Sequence, residues 1–114
     1  MTTLPEHPTL ADLQAHVHAL ETHHGWLDVD LVHNVFLMVE EVGELTKGIR
    51  RYERIFSEGE PTDLEATRGA ARANIAEEIV DVLNYLLAIA NRLDIDVEEA
   101  FRAKNARNFE RSWT

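Results

Sequence analysis

Glutamate occurs three times in five positions, at Glu40, Glu41 and Glu44, inside the otherwise apolar run "LVHNVFLMVEEVGEL". On a helix turning about 100° per residue, the three share one arc about 100° wide. The stretch "NIAEEIVDVLNYL" repeats the theme: Glu77, Glu78 and Asp81 share a similar arc, which Asn74, Asn84 and Tyr85 extend along the axis. In short form these are an ExxE (Glu41, Glu44) and an ExxD (Glu78, Asp81). Either arc alone is ordinarily a wet surface, where like charges one turn apart cost only about 0.2–0.5 kcal/mol. Two arcs facing each other are another matter. A carboxylate pair near 4 Å repels by about 4 kcal/mol at an effective dielectric of about 20. Such a cluster persists only if protons or cations neutralise it. Oxygen-only ligands favour Mg²⁺, Mn²⁺ or Ca²⁺ over softer ions, and Mg²⁺ in turn suits a polyphosphate substrate.

A basic counterpart lies nearer the C-terminus. Lys104, Asn108 and Arg111 follow at i, i+4 and i+7, on the helical face that also carries Val97 and Phe101. A lysine there either snorkels outward to solvent or, beside a metal site, contacts phosphate oxygens.

The elements that must position these groups are helices. Only five Gly and three Pro occur in 114 residues, periodicity is helical throughout, and no alternating strand pattern stands out. A first helix is expected from about Leu10 to His23, with Thr9 as N-cap and Gly25 ending it. A second runs from near Asp30 to about Phe56. Its Leu31, Val35, Met38, Val42, Leu45, Ile49 and Tyr52 make a full heptad seam,. Phe36, Leu37 and Val39 fall off that seam, so the first half is apolar nearly all round, which implies burial on more than one side and hence an oligomer. Gly43 is read as permitting a close helix approach. "SEGEPTDLEA" is the clearest loop, with Thr62 and Glu65 as a capping box. A third helix, or a short one leading into a long one, continues to about Leu93, with an apolar stripe that includes Ile79, Val82 and Leu86 opposite the carboxylates. "DIDVEEAF" starts the fourth, capped by Asp96 with Glu99 and extending to about Arg111. The expected fold is all-α: an antiparallel four-helix bundle, with room for one extra short helix, forming a single domain over residues 1–114 and assembling as a homodimer or homotetramer.

Bulk composition narrows the function. Net charge is −10, with 21 acidic against 11 basic residues. That disfavours binding to a nucleic-acid polymer, which depends on phosphate neutralisation by Lys and Arg. Cysteine is absent, which removes disulfides and thiolate zinc sites. No apolar run approaches the roughly 18 residues of a membrane span and no signal pattern opens the chain. The expectation is a cytoplasmic protein without a membrane partner. His16 and His18 lie about 200° apart on a helix and cannot share one metal. No phosphate-cradling Gly-rich loop and no nucleophile elbow is present.

"EEVGEL", "EEIVDVLNYL" and "KNARNFER" together resemble the MazG-like all-α nucleoside triphosphate pyrophosphohydrolases, over roughly residues 26 to 111. The family pattern is ExxE followed by ExxD on paired helices, then an "LGID"-like turn (here "LDID") and a helix bearing Lys and Asn. The resemblance implies Mg²⁺-dependent hydrolysis of an NTP or dNTP to the monophosphate and pyrophosphate, with Mn²⁺ as a substitute metal. It implies Glu41, Glu44, Glu78 and Asp81 as metal ligands. Glu40, the first glutamate of the "EExxE" form, would ligate a second metal or help activate water, a task open to Glu41 too. Lys104 and Asn108 match the phosphate-binding Lys and Asn, with a register using Asn105 also open, and Arg111 lies on the same face. Tyr85 stands where relatives carry an aromatic near the nucleotide. Trp26 stands where some carry a tryptophan near the base pocket, or else it plugs a helix entry. The stretch between the two motifs is longer than in compact members, which leaves an added helix, a lid or an oligomer contact open.

Three other readings compete. A di-iron carboxylate bundle would need Glu-x-x-His motifs, and neither "EVGE" nor "EIVD" has a His at i+3. A non-catalytic bundle that assembles with itself or a partner would leave its carboxylates in solvent. The sister phosphoribosyl-ATP pyrophosphohydrolases share the chemistry on another nucleotide.

Overall fold

The structure is a computed structural model that describes residues 3–54 and 64–112. Among these residues it is all-α, with no strand. Helix α1 spans Leu10–His24, a short 3-10 turn Trp26–Asp28, α2 Leu31–Arg54, α3 Leu64–Arg92 and α4 Val97–Glu110. The expected element order holds, with ends shifted by a residue or two. The expected capping box at Thr62 and the loop around it lie largely outside the described residues, as does the expected end of α2 near Phe56. The third helix is one continuous element rather than two.

Local chemistry sets the ends. Thr9 accepts a hydrogen bond from Asp12 N at 3.1 Å, and Asp12 accepts one back from Thr9 N at 2.9 Å, a reciprocal cap built with Asp in place of Glu. Gly25 closes α1 at φ 72° and donates to Glu21 O and Thr22 O, a left-handed C-cap that glycine adopts without steric penalty. Asp94 closes α3 at φ 57°. Ile95 N donates to Ala90 O at 2.9 Å and Asp94 N to Asn91 O, the hydrogen-bond pair of a Schellman stop. The Asp of "LDID" therefore occupies a left-handed position where the family motif has Gly. Asp96 then caps α4 by accepting from Glu99 N at 3.1 Å.

Packing divides the chain into two compact units, Met1–Leu31 with Leu86–Thr114, and Val32–Tyr85. The first holds α1 against α4 together with the last turns of α3. All the buried apolar side chains among the described residues are here: Val17, Leu87, Ala88 and Ala90. Two buried polar side chains join them. Gln14 Nε2 donates to Asn91 Oδ1 at 3.1 Å and Ile95 O at 2.8 Å, and its Oε1 accepts from Val97 N at 2.9 Å. Glu21 lies 3.6 Å from Arg92 Nη2. Arg92 also donates to Val29 O and, at 3.0 Å, to Trp26 O, so one guanidinium fixes the turn after α1.

The second unit pairs the rest of α2 with the first part of α3, and its inner face is unusual. A methyl group added at Gly48 would stand 3.3 Å from Asn74 Oδ1 and 3.4 Å from Ile75 Cγ1, so the glycine permits this approach. Gly43, expected to do so, meets nothing within 4 Å; it is exposed, because it projects from another side of α2. Asn34, Glu41 and Gly48, seven residues apart, share the inward face, with Asn34 and Gly48 buried and Glu41 half-buried. Val32, Phe36 and Val39 lie on the opposite side and are 59%, 65% and 57% exposed. The expected heptad seam splits accordingly. Leu31, Met38, Leu45 and Tyr52 are half-buried, whereas Val35, Val42 and Ile49 are exposed. On α3, Ile79 from the expected core stripe is likewise exposed.

Candidate metal centre

Three carboxylates converge inside the second unit. Glu41 on α2 and Glu78 and Asp81 on α3 each offer an oxygen, and these lie within 4.8 Å of one another. Glu78 and Asp81 are three apart on one helix, so their side chains point the same way. Glu41 reaches them because the polar face of α2, rather than its apolar one, is turned inward. The arrangement is electrostatically uncompensated. No basic side chain forms a salt bridge with the trio among the described residues. Glu78 Oε2 is buried with no hydrogen-bond partner. The Glu41 carboxyl is pushed above its ordinary range, first by desolvation, then by the charges of Asp81 and Glu78, a hydrogen bond with Glu78, and the charge of Glu44. Each of these disfavours the anion, and a bound cation would reverse the preference. The donor set is carboxylate oxygen, which fits a hard divalent ion and not a thiophilic one.

The other sequence candidates fall outside this trio. Glu40 and Glu44 are exposed, although the charge of Glu44 still acts on Glu41. Glu77 is exposed, and Tyr85, one turn after Asp81, is half-buried. Trp26, Lys104, Asn108 and Arg111 belong to the first unit. Lys104 and Arg111 are exposed. Asn108 Nδ2 donates to Asn105 Oδ1 at 3.1 Å, so the two asparagines between which the motif register was open act as one amide pair. Trp26 is 49% exposed and stacks on His24, with ring centroids 4.4 Å apart and planes 18° from parallel.

The family model of the MazG nucleotide pyrophosphohydrolase domain matches residues 32–112. The chain belongs to this family. That segment contains the whole carboxylate trio and Lys104, Asn105 and Asn108. The chain is also similar to the uncharacterized protein YvdC of Bacillus subtilis (strain 168), at 26% identity over 94 residues covering 82% of this chain and 87% of that protein. No solved structure matches the chain. Family membership makes this MazG domain a hydrolase of the nucleotide pyrophosphohydrolase type, and the carboxylate cluster agrees with a divalent-metal requirement. No helix among the described residues is long and apolar enough to cross a membrane.

Two residues of this MazG domain escaped the sequence reading. Asn34 and Gly48 stand seven before and seven after Glu41. A lone amide inside "LVHNVFLM" on the glutamate's own heptad position is the available signal, masked by the apolar seam beside it.

Proposed function

We propose that the protein hydrolyses a nucleoside or deoxynucleoside triphosphate between the α- and β-phosphates, releasing the monophosphate and pyrophosphate, with Mg²⁺ as cofactor and Mn²⁺ as a substitute. The observation that carries the reading is the unneutralised trio Glu41, Glu78 and Asp81 in a MazG domain. With Glu44 these residues would hold the metal. When bound, the metal neutralises phosphate charge and lowers the pKa of a coordinated water. Glu40 or Glu41 accepts the proton of the attacking water. The Lys104 ammonium stabilises charge on the departing pyrophosphate, and Asn108 and Arg111 donate to phosphate oxygens. Tyr85 and Trp26 contact the nucleoside. The roles of Lys104, Asn108, Arg111 and Trp26 rest on the family motif.

The working form is a cytoplasmic homodimer or homotetramer of one MazG-like domain over residues 1–114, folded as an antiparallel four-helix bundle. Contacts from Gly48 to Asn74 and Ile75, and from Glu41 to Glu78 and Asp81, run in opposite residue order along α2 and α3, which supports the antiparallel sense. The outward face of α2 supports assembly. From Val32 to Ile49 it carries Val35, Phe36, Val39, Val42, Gly43 and Thr46 with no charged residue, and the unit behind it has no buried apolar side chain among the described residues. An exposed apolar face of this kind marks an association surface. A helical scaffold without catalysis would leave the converging carboxylates unexplained.

The deciding experiment is pyrophosphate release from a panel of dNTPs and NTPs, with Mg²⁺ and with EDTA. Metal-dependent release is expected. Absence of release from every nucleotide tested, with a correctly folded protein, would overturn the reading.

A further inference from the structure

Asn34 is 4% exposed, and its Nδ2 has no hydrogen-bond partner. A buried donor left unmade carries its full desolvation penalty, and native proteins keep few such groups. This one stands on the inward face of α2, in the unit that holds Glu41, Glu78 and Asp81. It lies seven residues before Glu41, which is about 10 Å along a helix axis. That is the length scale separating a nucleotide's phosphates from its base. A phosphate or the first sugar atoms would fall short of it.

We propose that Asn34 is a specificity-determining residue whose Nδ2–H donates to an acceptor on the base of the nucleotide held at Glu41, Glu78 and Asp81. The inference rests on the pyrophosphohydrolase reading and assigns the base end of that same site. Ring carbonyl oxygens and unprotonated ring nitrogens are the acceptors that base edges present. A base that lacks one at the right place leaves the buried amide unpaired, and such mismatches are rejected more sharply than a missing methylene. The other ordinary role of a buried asparagine between helices is to fix their register and association. That role would be indifferent to which base the substrate carries.

The test uses the full chain with Mg²⁺. Steady-state kinetics on the dNTP and NTP panel, with ribose 5-triphosphate as a base-free probe, are compared for the wild type, Asn34→Leu and Asn34→Asp. In Asn34→Leu, kcat/KM for the preferred nucleotide should fall about tenfold or more, mainly through KM, because one hydrogen bond to substrate is lost. Discrimination among bases should flatten, turnover of ribose 5-triphosphate should stay at the wild-type value, and the thermal midpoint of the metal-free protein should hold or rise. Asn34→Asp is nearly isosteric and replaces the donor with an acceptor. It should move preference toward bases presenting an amino group, and it keeps the proposal falsifiable if the leucine variant misfolds. Unchanged base preference in a folded, active variant overturns the assignment to Asn34 while leaving the pyrophosphohydrolase reading intact. A wild type inactive on every nucleotide overturns both.

Discussion

The two units of the chain bury the same kinds of polar group and treat them in opposite ways. In the first, the Gln14 amide is 9% exposed and makes three hydrogen bonds to Asn91, Ile95 and Val97. In the second, the Asn34 amide is more deeply buried and its donor end makes none. Glu21 is buried beside Arg92, whereas Glu78 is half-buried beside two further carboxylates. The first unit does contain two orphaned nitrogens, His16 Nδ1 and Arg92 Nε, but Arg92 already donates through both terminal nitrogens. Satisfied burial rigidifies a scaffold. Unsatisfied burial reads as a place waiting for a ligand, since the free energy lost in the empty state is recovered on binding. The apolar core follows the same division, being concentrated in the first unit.

The largest effect that tests this contrast is chemical. Glu78→Gln or Asp81→Asn should lower Mg²⁺-dependent pyrophosphate release by at least about a hundredfold, because loss of a mere supporting group around a metal already costs roughly 10–100-fold. Either change also removes a like charge from the trio, so urea midpoints without metal should be unchanged or higher. Wild-type turnover in both variants would show that the trio is not the metal centre.

Gln14→Leu should do the reverse. It strands Asn91 Oδ1, Ile95 O and Val97 N, at a cost of about 2–4 kcal/mol, visible in urea denaturation, while turnover per folded molecule is retained. A cost under about 0.5 kcal/mol, the range of an inert surface change, would remove the distinction between the two amides.

A smaller effect follows from the raised Glu41 carboxyl. Its ordinary value is 4.5 and its folded value is higher, chiefly through desolvation and then its acidic neighbours. The folded state therefore binds the proton more tightly than the unfolded chain does. The stability this contributes is fully present below the unfolded value and is lost as pH rises through the folded one. In EDTA, the stability of the wild type should fall relative to Glu41→Gln as pH rises above 4.5, as thermal melts of the pair across pH would show. A wild type that gains stability relative to Glu41→Gln with rising pH would contradict the crowding of the trio.

Smallest is Asp94→Gly. The residue sits at φ 57°, where glycine avoids a Cβ penalty of about 1–2 kcal/mol but gives up about 0.5–1 kcal/mol in chain entropy, so the substitution should stabilise by about 0.5–1 kcal/mol. That gain should leave the kinetics unchanged, since Asp94 is none of the residues assigned to the metal or the substrate.

Much of this was legible in the sequence, for identifiable reasons. Helix caps are written locally, so Thr9, Gly25 and Asp96 could be read one by one. The convergence of Glu41 with Glu78 and Asp81 was legible through the family resemblance, which sets ExxE and ExxD on paired helices; the charges alone would equally suit two separate wet surfaces. What stayed hidden was the direction in which α2 faces. Its heptad of Leu31, Val35, Met38 and their successors pointed to an apolar contact, yet the face turned toward α3 carries Asn34, Glu41 and Gly48. Hydrophobic periodicity identifies a helix and its greasy side; it does not say whether that side meets its own chain. The sequence points to Gly43 rather than Gly48 for the same reason, since only the orientation of the helix tells which glycine lies at the crossing. Gln14 and Arg92 leave no local signal because their partners are distant in sequence.

The repeat of seven that places Asn34, Glu41 and Gly48 makes α2 a ruler. Around a straight helix such a series slips by about 20° per heptad, so the marks stay aligned only if their number of intervening residues is kept. One residue inserted between positions 35 and 40 would turn Asn34 through about 100° and carry it toward solvent, with every side chain intact. Insertion of a full heptad would restore its bearing but displace it by about 10 Å, beyond the span of a nucleotide. Chain length within this stretch should therefore matter to base preference as much as Asn34 itself.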